Sequence, residues 1–146
     1  MRILKLVLAF FAAVIVTTIL GAAFHTQFVI GRLTDMGIAV SFADRLSTTL
    51  HDIAGMAPLF GLVIAGGFLV AFLAGALVFR FAGTQRNVVY AVAGAVAIGV
   101  ALSLMAMVFN ITPIAGARSW AGFIAQMAAG ALGGYVFALI SRVRTA

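Results

Sequence analysis

The side chains able to do chemistry are few, and most of them lie between residues 25 and 55. That segment holds both histidines, His25 and His51, all three acids, Asp35, Asp44 and Asp52, and the bases Arg32 and Arg45. Two imidazoles could ligate a b-type haem, or a divalent metal together with Asp44 or Asp52. Neither histidine belongs to a spaced ligand motif such as H-x-x-x-H, so water, headgroups or a neighbouring helix end are the favoured partners. No cofactor is expected. The three aspartates could gather cations or protons, yet none lies midway along an apolar run, where an ion or proton carrier places one. Helix capping, the helix dipole and pairing with Arg32 and Arg45 account for them better. The chain has no cysteine, which excludes disulfides, thiolate metal sites and thiol nucleophiles.

Outside that segment two polar positions stand out. Gln126 lies among glycines near the middle of an apolar run, where it could line a pore but more often bridges two helices, worth about 0.6 kcal/mol and up to ~2. Asn110-Ile111-Thr112 matches a glycosylation sequon but adjoins an apolar run and precedes Pro113, which argues against its use. Nothing here assembles a catalytic set, so the chain is expected to be non-enzymatic.

The elements that must position these residues are membrane-scale. Of 146 residues, 65% are hydrophobic and only 8% charged, with a mean hydropathy of +1.26. A water-soluble domain carries far more charge. Four apolar runs, 3–24, 56–79, 88–109 and 119–140, each approach the ~20 residues that cross ~30 Å of hydrocarbon. Backbone groups in lipid must be satisfied within the segment, so each run is a helix. The fold class is thus an all-α integral membrane domain. It is a four-transmembrane-helix bundle with a helical extracytoplasmic segment, 25–55, between the first two spans. The basic start and Gly21-Ala22-Ala23 also resemble a signal peptide, but a retained first span is favoured.

The net charge of +6 is not a nucleic-acid patch, because the basic residues sit singly or in pairs at the ends of apolar runs. Arg2, Lys5, Arg80, Arg86, Arg142 and Arg144 fall on the side of the termini; Arg32, Arg45 and Arg118 fall on the other. That asymmetry predicts cytoplasmic termini, in a bacterial inner membrane, with 25–55 outside. Trp120 at the outer end of the fourth run agrees.

Every span also carries a row of small residues. The fourth has Gly122, Gln126, Gly130 and Gly134; the third has Ala91, Ala95, Gly99 and Ser103; the second has Gly67, Ala71 and Gly75; the first has Ala9, Ala13, Thr17 and Gly21. Such rows let helix backbones approach closely. They serve either the bundle itself or contact with another subunit or copy. Spans two and four also match at an offset of 55, pairing Gly67-Phe68 with Gly122-Phe123 and Ala74 to Leu77 with Ala129 to Leu132. A parallel repeat of helical hairpins would produce this, and so would chance in a chain so rich in Ala and Gly.

Segment 25–55 reads as ordered. Residues 27–36 are helix-compatible and stop at Gly37, a C-cap position. Ser41 with Asp44 resembles a capping box. Beyond it Phe42, Leu46, Leu50 and Ile53 share one face, expected to be buried against lipid or protein, while Asp44, Arg45, Thr48 and Asp52 point away to meet a partner. Gly55 and Pro58 are expected to bend the chain into the second span.

These features suggest an accessory or assembly subunit of a larger inner-membrane complex, in contact with the lipid bilayer and with other subunits or itself. A small oligomeric channel or transporter using Gln126 and Ser103 is the alternative. A haem or metal protein using His25 and His51 is a weaker one.

Overall fold

The computed structural model describes residues 2–83, 85–110 and 114–142. Four helices run α1 Arg2–Asp35, α2 Phe42–Ala82, α3 Arg86–Phe109 and α4 Trp120–Ile140, with a 3₁₀ turn Ala115–Arg118 before the last. The described residues contain no strand, and all four helices are long and apolar enough to cross a membrane. Each helix packs on its neighbours in sequence, and α4 closes the ring against α1.

The helix ends follow local chemistry. Gly37 adopts φ +84° after α1. Its N–H donates to the Thr34 carbonyl at 2.9 Å and that of Ile38 to Leu33 at 3.0 Å, the paired closure of a left-handed glycine cap. Ser41 caps α2 by accepting from the Asp44 N–H at 3.1 Å, and its hydroxyl reaches Asp44 Oδ2 at 2.6 Å. Ser119 does the same for α4, accepting from Gly122 N–H at 3.1 Å.

Two expectations fail in the same place. The helix break predicted at Gly55 and Pro58 does not occur: α2 is one helix of 41 residues, with Pro58 inside it. Proline removes one backbone donor, which a helix supported along its length tolerates. At 1.5 Å per residue α2 is about 60 Å long and α1, with 34 residues, about 50 Å, both well beyond a ~30 Å hydrocarbon core. The amphipathic segment is thus the distal third of α2, paired with the distal third of α1 at the end away from the termini.

The polar row of this segment also lies differently from the expected placement, while its apolar row is left for lipid or protein to cover. Phe42, Leu46 and Leu50 are 80%, 52% and 59% exposed, and Ile53 is half-buried. Arg45 and Asp52, which were expected to point away, face α1 instead, and Thr49 joins them. Hydrogen bonds explain the choice: α1 presents Thr26, Gln27 and Thr34 along this stretch, and the polar row of α2 can satisfy them.

Within the bundle the small-residue rows are used at contacts between helices of one copy. On α4, Gly130 and Gly134 lie against α3, where an added Cβ would meet the carbonyls of Gly94 and Tyr90. Gly133 faces α1, against Thr17 Oγ1 and, at 3.0 Å from such a Cβ, the Ala13 carbonyl. Gly99 receives Met127 from α4, and Gly67 and Gly75 of α2 receive Ala97 and Ala93 of α3. Gly122 packs beneath the Gly116 carbonyl in the 3₁₀ turn. Gly75 and Gly130, paired by the offset of 55, thus both face α3. Gly31, Gly55 and Gly66 have nothing within 4 Å of an added Cβ.

The proximal end, near the termini, is filled by one or two rings from each helix. Phe72 stacks on Phe137 at 4.4 Å, Tyr90 lies 4.9 Å from Phe137, and Phe10 meets Phe72 edge-on at 6.4 Å. Arg86 closes this end. Its guanidinium donates to the Ala138 carbonyl at 2.8 Å and to Ser141 Oγ at 2.7 Å, and lies 5.1 Å from the centre of the Tyr90 ring. A cation at the carbonyl end of α4 also suits the helix dipole. Replacing Arg86 by Ala is expected to lower stability by about 1–3 kcal/mol, since carbonyl and hydroxyl lose a charged donor together. Arg86→Lys should restore part of that loss, and thermal unfolding in detergent reads both.

Candidate functional site

The polar groups of the sequence converge on the distal end, where α1, α2 and the 3₁₀ turn meet. Four hydrogen bonds between side chains join α1 to α2. The Thr26 hydroxyl, fully buried, donates to Asp52 Oδ2 at 2.7 Å. Gln27 Nε2 donates to Thr49 Oγ1 at 3.2 Å, and Arg45 Nη1 to Gln27 Oε1 at 3.4 Å. Arg45 also reaches Thr34 Oγ1 at 3.5 Å. This ladder fixes the rotation of α2 and turns its apolar row outward. Asp44 serves the cap, and Asp35 is exposed on the last turn of α1.

The two histidines serve different neighbours. His51 is exposed on α2. His25 is half-buried, and its Nδ1 accepts the Gly116 N–H of the 3₁₀ turn at 3.1 Å. An imidazole that accepts at Nδ1 is neutral and carries its proton on Nε2. Helix and turn approach so closely that a Cβ on residue 116 would come within 2.6 Å of His25 Cα, which requires glycine there. Among the described residues no group of three or more His, Cys, Asp or Glu side chains is placed to hold a metal ion.

Below this junction lies Gln126, 1% exposed between α4 and α1. Its Nε2 donates to the Gly21 carbonyl at 2.8 Å, the helix-bridging role open to it from sequence. That contact sets the amide orientation, because the flipped amide would put oxygen against oxygen. Oε1 then lies buried with no partner. Thr17 adds a second bridge, from its hydroxyl to the Ala129 carbonyl at 3.3 Å. Ser103 is not brought to this seam: it is exposed and donates to Gly99 of its own helix at 2.8 Å. Residues 111–113, including Thr112 and Pro113 of the sequon region, lie outside the described residues.

An open groove of about 560 Å³ runs between α2 and α3, lined by Gly67, Ala71, Val96, Ala97, Ala101 and further apolar residues. It offers shape but no polar group to orient a substrate, and suits hydrocarbon.

Several of these positions carry more than composition suggested. Arg45, Thr49 and Asp52 form a second row at helical spacing, visible in the sequence but overshadowed by the stronger apolar row beside it. Gly116 and Arg86 left no comparable local signal, since their partners lie 91 and 52 residues away. Compared with protein-family models, curated proteins and solved structures, the chain matches none.

Proposed function

We propose that the chain is a non-enzymatic accessory or assembly subunit of a larger inner-membrane complex, and that the distal hairpin is the arm that holds a partner subunit. One observation carries the reading. Phe42, Leu46 and Leu50 form one row at helical spacing along the distal part of α2, and all three are exposed. Over the core the apolar row Phe60, Ile64 and Phe68 is covered by the other helices; along the arm the apolar row is exposed. Burying a side chain of this size stabilises by roughly 1.5–3 kcal/mol, so a partner's apolar surface gains by covering the stripe.

The asymmetry of basic residues supports an arm outside the membrane and termini in the cytoplasm. Cysteines introduced at Ser47 and at Thr145, the latter outside the described residues, test this with an impermeant thiol reagent on intact cells. Labelling at residue 47 alone is expected; labelling at 145 alone overturns the orientation. For the function itself, a photo-crosslinking residue at Leu46 is combined with native mass in gentle detergent. The expected result is one defined membrane-protein adduct that co-purifies with the chain. A monomeric mass with crosslinks to lipid alone would sink the proposal, and a crosslink to a second copy alone would replace it with self-assembly.

A further inference from the structure

We propose that His25 and Gly116 form an acid-released latch at the distal end of the seam between α1 and α4. The 3₁₀ turn is wedged between these two helices, with Ile114, Gly116 and Ala117 buried. It is tied to α4 through the close contact of Gly116 with Gly122, and to α1 through the bond from Gly116 N–H to His25 Nδ1. Only a neutral imidazole can accept that bond. The imidazolium carries N–H groups on both nitrogens, so no rotation of the ring restores an acceptor, and two donors are left facing each other.

A second observation says what release uncovers. Gly21 lies one turn below His25 on α1, and its carbonyl holds Gln126 with Oε1 buried and unpartnered. A buried acceptor without a donor is an unmet demand for water or a polar ligand. Freeing the turn from α1 opens the seam above that atom and lets water reach it.

The charges around the latch act in both directions. Half-burial disfavours the imidazolium, while the Asp52 carboxylate on α2 favours it. On the other elements packed here, Arg118 follows two residues after Gly116, His51 is exposed on α2, and the first turn of α4 has no ionisable side chain. Within a turn of His25 on α1 there is no other ionisable group. Burial outweighs the carboxylate and holds the imidazole below its ordinary value, so the latch responds at the acid end of histidine's range, below about pH 6.5.

Hydrogen exchange on the full chain in lipid nanodiscs tests this, at about pH 7.5 and pH 5.5, corrected for intrinsic exchange rates. In the wild type, exchange over residues 114–118 should rise roughly tenfold at the lower pH. His25→Asn offers an acceptor that does not titrate and should abolish the rise, whereas His51→Asn should retain it. Asp52→Asn should move the midpoint to lower pH, because the imidazolium loses its nearest counter-charge. Should the wild type show no pH-dependent change at 114–118, the latch does not exist; that arm stands even if a variant fails to fold. A rise that persists in folded His25→Asn would equally overturn it.

Discussion

Gly130→Leu is expected to prevent the bundle from forming, while Leu132→Ala, two residues along the same helix, is expected to leave it folded. At residue 130 an added Cβ would meet the Gly94 carbonyl oxygen, with Gly94 C at 3.0 Å and Ile98 Cγ1 at 2.5 Å. The obstacle is chiefly backbone, which cannot turn aside as a side chain can. Overpacking a core typically costs about 1–3 kcal/mol, and forcing two helix backbones apart should exceed that range. Leu132 is 49% exposed, so truncation leaves a surface that lipid can refill. Accumulation and thermal unfolding in detergent compare the two. A Gly130→Leu protein that accumulates and melts like wild type would mean that α3 and α4 do not meet at this distance.

The second large effect separates association from folding. Leu46→Asp combined with Leu50→Asp should leave the melting temperature close to wild type, since both residues are exposed and exposed substitutions usually stay within about 0.5 kcal/mol. It should nevertheless abolish co-purification of the partner, because docking would bury two unpaired carboxylates. Asp52→Ala should do the reverse. It removes the bond across the hairpin, while the Thr26 hydroxyl keeps the Ala22 carbonyl at 3.0 Å as an acceptor, so the cost should be about 0.5–1.5 kcal/mol of fold stability. If the double Asp variant melts far below wild type, the stripe is buried within the folded protein's own surroundings and the arm is not free to bind. If it binds the partner normally, the interface lies elsewhere.

What the sequence determined by itself is local. Four apolar runs of membrane length, the stop at Gly37 and the start at Ser41 with Asp44 all follow from hydropathy and from hydrogen bonds within a few residues. Helix ends of this kind need no distant partner, so composition and spacing suffice to place them. The small-residue rows likewise announced close packing.

Which helix each row faces was a tertiary decision. Gly130 and Gly133 are three residues apart, yet one meets α3 and the other α1, and only the assembled ring distinguishes them. The rotation of distal α2 was decided in the same way. Its apolar and polar rows are both regular, and hydrophobicity alone favours burying Leu46 and Leu50. The structure turns the other row, half-buried, toward α1, which continues beside it as a helix and offers Thr26, Gln27 and Thr34 as partners. A polar group enclosed between two helices must find a hydrogen bond, whereas an apolar one can face lipid or a partner protein. That difference in cost, which exists only once the two helices are side by side, set the face that the arm presents.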